Sequence, residues 1–425
     1  MMARHTIRLL AGFLLMLSIA GAAQAQQPLW INKTYSGEGY SVSMSSDGSS
    51  IAAAMDLFYL FNRKGERVWS GFAGKQVRMT GDGLYIVGAT DSGIRYLDAS
   101  GKTFWMDSEV KPVDVIAMHP DGRFIAALSA STISLYNRAG SLLARNSSFA
   151  ADDIAIPPDG SMMAIATPSA IVGLNQSGFE KWRYETFENR EMSFAGDGSY
   201  IIGASAYSVV ALHPSGNLLW TYRTASDILD IAISSNSEYI AVGSRDKNVY
   251  LLNRKGELAW KRALGDPVHC IAVSSDGSFI AAGSFQGLDK KIYLFSSGGD
   301  LLWTYQTGGW INGIALSGDG AYLAAVTDEG NLYFFDTRIP STTPVTSAVT
   351  TPAAPPTAME TPPPGTTEAP SLPPSNLQTT APAIPETSAS PAQPQTTRSG
   401  GDPIALGGLV ALSFGFALSR VRRHS

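Results

Sequence analysis

The chain has 425 residues, 16% of them charged, a net charge of −5 and a single cysteine. No block of like charge appears, so the composition supports neither nucleic acid nor an anionic surface as a partner. The lone Cys270 excludes an intramolecular disulfide, and within the apolar run Val268–Val273 it reads as a buried, inert thiol.

Residues 1–25 have the three parts of a secretory signal. Arg4, His5 and Arg8 make a basic start, residues 9–20 are apolar, and Ala23-Gln24-Ala25 offers small residues where a signal peptidase reads them. The expected cut follows Ala25. The apolar run is too short to cross a bilayer comfortably.

Residues 26–338 are a repeat array. A turn signature recurs as Asp47-Gly48, Asp82-Gly83, Asp121-Gly122, Asp159-Gly160, Asp197-Gly198, Asn236-Ser237, Asp276-Gly277 and Asp319-Gly320, in steps of 35 to 43 residues. Each turn joins two apolar strands, a third strand follows, and a Gly-containing turn leads to a fourth that ends in Trp, as in Glu257-Leu-Ala-Trp260. Four strands in about forty residues make one propeller blade, so the fold class is all-β, an eight-bladed β-propeller. The eighth unit, residues 311–336, lacks a fourth strand, while Leu29-Trp30-Ile-Asn-Lys-Thr-Tyr35 precedes the first unit and matches one. The N-terminal strand is therefore expected to complete blade eight and close the ring, which removes two open edges. Trp30, Trp69, Trp105, Trp182, Trp220, Trp260 and Trp303 recur once per unit, with Ala144 in the third, and read as packing anchors between blades. Trp310 falls outside the pattern.

In a propeller the first strand of each blade lines the central channel. Counting back from each Asp-Gly turn gives the ring Tyr40/Ser41, Lys75/Gln76, Asp114/Val115, Asp152/Asp153, Arg190/Glu191, Leu229/Asp230, His269/Cys270 and Asn312/Gly313. Asp114, Asp152, Asp153, Glu191 and Asp230 thus converge from blades three to six, with Lys75, Arg190 and His269 near them. Such carboxylates suit a divalent cation or a cationic ligand; a solvated channel mouth is the plain alternative. No catalytic signature accompanies them, and His119 and His213, each before a Pro, read as turn residues. Asn32, Asn146 and Asn175 begin Asn-x-Ser/Thr sequons, Asn175 in an expected turn.

Residues 339–400 are dominated by Pro, Thr, Ser and Ala and read as a disordered, extended stalk suited to O-glycosylation. Residues 401–425 form the expected transmembrane helix and basic tail. About seventeen uncharged helical residues rise roughly 26 Å, just enough to span, and Arg420, Arg422 and Arg423 would stay cytoplasmic.

Two resemblances add to this reading. Asn253-Arg-Lys-Gly-Glu-Leu-Ala-Trp260 resembles the repeats of quinoprotein-type propellers, and residues 274–284, Ser-Ser-Asp-Gly-Ser-Phe-Ile-Ala-Ala-Gly-Ser, are similar to WD-type repeats. Together they cover about residues 29–338 and imply the fold. Quinoprotein dehydrogenases carry a vicinal disulfide and a calcium ligand set that this chain lacks, so pyrroloquinoline quinone is not expected. The stalk, apolar segment and basic end resemble the C-terminal sorting signals of surface proteins in archaea and Gram-positive bacteria. The residues before the helix, Ser399-Gly400-Gly401-Asp402-Pro403, match neither the Pro-Gly-Phe nor the Leu-Pro-x-Thr-Gly motif of those signals. Retention of an intact helix is the expectation, and cleavage with lipid attachment the alternative.

The function expected is that of a non-enzymatic scaffold on the extracellular face of the membrane, binding an envelope protein or glycan and using no cofactor. The alternative is an enzyme, a quinoprotein-like oxidoreductase or one acting on polysaccharide, that uses the acidic channel mouth. Mass spectrometry of the mature protein should recover peptides from residues 401–425; their absence would replace the intact anchor with the cleaved one.

Overall fold

The computed structural model describes residues 24–34, 37–129 and 131–338. Most of the signal, the stalk and the C-terminal segment lie outside the described residues. Six four-stranded antiparallel sheets follow one another at residues 41–71, 74–107, 115–146, 153–185, 189–223 and 228–263, and a seventh at 268–306 carries the short parallel strand Gln24–Ala25 as a fifth. The eighth combines Ile311–Leu316, Tyr322–Thr327 and Asn331–Asp336 with Trp30–Lys33 from the N-terminal end. First strands of successive blades lie against one another, and Ile311–Leu316 meets Ser41–Met44, so the ring is closed.

Burial explains the strand sequences. Second and third strands, such as Phe279–Ser284 and Lys291–Ser296, are buried almost throughout, because each blade is covered on both faces by its neighbours. Strands covered on both faces read as apolar runs rather than as an alternation. Alternating exposure survives in outer strands such as Leu218–Arg223.

The expected closure is present. Trp30 pairs with Phe334, Ile31 with Tyr333, Asn32 with Leu332 and Lys33 with Asn331, and the Leu29 amide donates to the Phe334 carbonyl at 2.7 Å. The Trp30 indole stacks on Phe334 at 4.9 Å and reaches Phe61 of blade one at 5.8 Å. Sequence reading assigned Gln24 and Ala25 to the signal. The structure runs them parallel to the outer strand of blade seven, opposite Trp303 and Thr304.

The tryptophans join blades through one repeated contact. The Trp220 indole N–H donates to the Arg254 carbonyl at 2.9 Å, in the third turn of the next blade. Its ring lies on Gly256, where a Cβ would stand 2.5 Å from the ring and where φ is +79°, so the position requires glycine. Trp30, Trp69, Trp105, Trp182 and Trp260 make equivalent indole-to-carbonyl bonds. The Nε1 of Trp303 has no hydrogen-bond partner among the described residues.

A second set of joints runs round the Asp-Gly face. Backbone amides donate across blade boundaries from Asn236 to Ser275, Ser275 to Gly318, Gly318 to Ser46, Ser46 to Gly81 and Gly81 to Pro120. Pro120 has no N–H to continue the series. His119 continues it instead: its Nε2–H donates to the Pro158 carbonyl, while Nδ1 lies 2.5 Å from Oδ1 of Asp121. The same boundary lacks a tryptophan, and there the Asn146 side-chain amide donates to the Gly178 carbonyl at 2.8 Å.

Trp30→Ala should lower stability by about 2–4 kcal/mol, as expected for deleting a large, partly buried aromatic. A chain beginning at Gly37 should aggregate or melt well below full length. Thermal unfolding by circular dichroism checks both, and an unchanged melting temperature for the shortened chain would refute closure.

Candidate functional site

The eight first strands carry two adjacent rings of side chains, one turned toward the neighbouring blade and one toward the mouth, and the structure separates residues that the sequence ring placed together. The deeper layer comprises Ser41, Gln76, Val115, Asp153, Glu191, Asp230, Cys270 and Gly313, all at one repeat position. Gln76, Asp153, Glu191 and Asp230 are buried. Their positions follow from the backbone: a first strand is the inner edge of its sheet, and its outward amides need acceptors.

Asp153 supplies two such acceptors. Its Oδ1 takes the Ile154 amide and its Oδ2 the Met192 amide of blade five, both at 2.8 Å. Asp230 does the same for Ile231 at 2.9 Å and Ile271 of blade seven at 2.8 Å. Gln76 Oε1 accepts from Ile116 of blade three at 2.6 Å, and the Ser41 hydroxyl lies 3.5 Å from the Val77 amide. The Cys270 thiol is buried and directed at the Ile311 carbonyl, 3.7 Å away. Asp153 and Asp230 therefore act as clamps between blades.

The shallower layer forms the mouth. Lys75 and Asp114 are exposed, and Asp152 and His269 are half-buried. Arg190 lies on the strand Asn189–Phe194. The His269 ring packs on Phe285 at 4.0 Å, and Phe285 meets Trp310 edge-on at 5.4 Å. Trp310, outside the repeat pattern, thus belongs to an aromatic group on the mouth side of blades seven and eight. Glu188 and Asp227 add acid to the connecting segments before blades five and six, beside the exposed rings of Phe187 and Tyr207, 6.4 Å apart.

Sequence reasoning missed Arg78. It sits two residues beyond Gln76, where the other blades carry Ser43, Ala117, Ala155, Ser193, Ala232, Ala272 and Ala315. Aligning the repeats would have found it as one long cation in a ring of small residues. Arg78 is 9% exposed, and its Nη2 has no hydrogen-bond partner among the described residues. Burial pushes the guanidinium down to about 10, while the charges of Asp153, Glu191 and Asp230 pull the other way. It remains a cation at neutral pH, within electrostatic reach of Asp153, Glu191 and Asp230.

Among the described residues, no group of three or more His, Cys, Asp or Glu side chains is placed to hold a metal ion. The sequons differ in how the fold uses them. The side-chain amides of Asn32 and Asn146 donate to the Gly65 and Gly178 carbonyls of the following blade. Asn175 uses its Oδ1, accepting from Ser177 and Phe179 at 2.9 and 3.0 Å, so the expected turn is present. His119 and His213 both lie in turns, His213 with Nδ1 2.7 Å from the Ser215 hydroxyl and His119 in the joint described above.

Comparison with known proteins places the fold. A family of unknown function (DUF5711) matches residues 179–331. No curated protein matches the sequence. The C-terminal WD40 domain of Sif2 is similar in structure, with a TM-score of 0.65 and 15% identity over 74% of this chain and 99% of that one. Sqt1 from Chaetomium thermophilum, solved bound to the N-terminus of the ribosomal protein L10, has a TM-score of 0.64 and 13% identity over 73% of this chain and 100% of that one. The computationally designed Ika8 protein follows at 0.62 and 11% identity over 73% and 99%. The chain has a WD40-like eight-bladed propeller fold.

Asp153→Ala strands two buried amides and should cost roughly 2–6 kcal/mol, at about 1–3 kcal/mol per unmet group. Asp153→Asn keeps one acceptor and should lose about half as much. Urea unfolding of the two variants tests this, and equal, negligible losses would show that the clamp carries no stability.

Proposed function

We propose that the propeller is a non-enzymatic scaffold whose channel mouth binds a protein segment bearing cationic side chains. The observation behind this is the combination of Asp114, Asp152, Glu188 and Asp227 with the exposed Phe187 and Tyr207 on one face of blades three to six. Acidic groups beside exposed aromatic rings suit Lys and Arg, whose stems pack while their charges pair. The structurally similar Sqt1 was solved with the N-terminus of another protein bound, which favours a protein segment over a small molecule. An enzyme at the mouth is the second reading. Two of the carboxylates it would use, Asp153 and Asp230, each hold two main-chain amides, which favours the binding role.

The setting we propose is the outer face of a cell membrane. It rests on the signal pattern of residues 1–25, the Pro/Thr-rich residues 339–400 and the apolar residues 401–425 with their closing arginines. On that reading the partner is a protein or glycan of the envelope, and the stalk sets how far the disc reaches.

The probe is a fluorescent oligolysine peptide, with binding to full-length protein followed by anisotropy. Asp114→Asn with Asp152→Asn should weaken it about tenfold, as expected when two partners of a cationic ligand are removed. Glu180→Gln with Glu185→Gln, on the outer strand of blade four, should leave it unchanged. Equal effects from both pairs would reduce the mouth to general surface charge.

A further inference from the structure

Third turns in this propeller open on a residue whose side chain caps them. In blade one, Asn62 Oδ1 accepts from the Lys64 and Glu66 amides at 3.0 Å, and its Nδ2 donates to the Glu66 carboxylate at 2.7 Å. Blade six repeats the arrangement with Asn253, whose Nδ2 donates to Glu257 at 2.7 Å. Blade four keeps the cap and loses the acceptor. Asn175 Oδ1 takes the Ser177 and Phe179 amides, but Phe179 stands where those glutamates do, and Nδ2 donates to nothing among the described residues. Phe179 is 66% exposed. Its counterparts Glu66, Lys102, Ser141, Asn217, Glu257 and Asp300 are all polar. An unpaired amide and an exposed ring therefore share one turn, and Asn175-Gln-Ser177 within it is a sequon.

We propose that Asn175 carries an N-linked glycan whose first sugar lies on the Phe179 ring. The donor is a sugar chain held on a lipid phosphate. Its anomeric C–O bond breaks as Nδ2 bonds to the anomeric carbon; the lipid phosphate leaves with the electron pair, and Nδ2 gives up one of its two protons. The other sequons have their amides engaged. Asn32 lies in a paired strand with Nδ2 donating to the Gly65 carbonyl at 3.0 Å, and Asn146 Nδ2 donates to the Gly178 carbonyl at 2.8 Å. A sugar on either would crowd a joint between blades, whereas Gln176 and Ser177 beside Asn175 are exposed. The contact with Phe179 follows from blades one and six, where the side chain four residues on meets the asparagine amide. A ring at that place meets whatever the amide carries, and the apolar face of a sugar covers it. The proposal rests on the outer-face setting above, where such donors act, and is independent of what binds at the channel mouth.

The test takes the full chain from the membrane of its own cells. Cleavage at methionine and lysine separates Asn146 from Asn175 at Met162 and Met163, and tandem mass spectrometry of the fragments reads each sequon. Sugar is expected on Asn175, with Asn32 and Asn146 bare. Ser177→Ala leaves the Asn175 cap in place, because only the Ser177 main chain is used, and should remove the glycan; Ser177→Thr should keep it. Phe179→Glu gives Nδ2 an acceptor and should lower occupancy at least about threefold, in line with one hydrogen bond. The glycosylated protein should melt about 2 °C above Ser177→Ala, and Phe179→Glu should erase that gap. Phe179→Ser, the residue of blade three, replaces it if the glutamate folds poorly. Bare Asn175 in protein that an added protease reaches on intact cells overturns the glycan. Protein shielded from the protease overturns the setting and the glycan with it. Sugar on Asn32 or Asn146 in place of Asn175 overturns the choice of site, and equal melting temperatures overturn the contact with Phe179.

Discussion

A four-stranded sheet whose two faces are both apolar cannot cover either of them alone. Each blade here meets that constraint by lying between two others, and eight blades meet it together only as a closed ring. Most of the molecule follows from this. The second and third strands are buried almost to the last residue, and Ala and Gly are placed where blades come close. The strand Trp30–Lys33, ahead of the first blade in the chain, completes the last one. The energy of closure sits in contacts that no single repeat contains: indole on glycine, amide to carbonyl across a boundary, and carboxylate to the next blade's edge.

The carboxylates show how that constraint bears on function. A buried carboxylate is costly unless its oxygens are satisfied, and Asp153 and Asp230 are satisfied by amides that would otherwise be unmet themselves. Charge that reads along the sequence as one ring divides in space into a structural layer and a displayed one. Arg78 balances part of the charge of the structural layer. The displayed layer carries Asp114 and Asp152 together with Lys75, and it is there that we propose a partner docks.

The fold was legible because repetition carries information that a single segment lacks. The Asp-Gly turns, the spacing of the tryptophans and the spare strand at residues 29–35 together specify blade number and closure. Sequence reading stopped at side-chain direction. Asp152 and Asp153 are adjacent in the chain, yet one reaches the mouth and the other the next blade, because neighbours on a strand point opposite ways. Arg78 was missed because attention stayed on the acidic positions, although the small residues at its seven equivalents mark it. The pairing of Gln24 and Ala25 with blade seven had no local signal beyond the absence of charge in Leu301–Gln306.

The boundary between blades three and four has a consequence for how the sequence can drift. Elsewhere round the Asp-Gly face, from blade six through blade eight to blade three, the joints are made by backbone amides, which survive any replacement except proline. Between blades three and four, Pro120 and Ala144 have removed both usual joints, and His119 and Asn146 supply the substitutes. Those bonds exist only as long as two particular side chains are inherited. The boundary between blades three and four thus depends on inherited side chains even though the backbone there is unbroken.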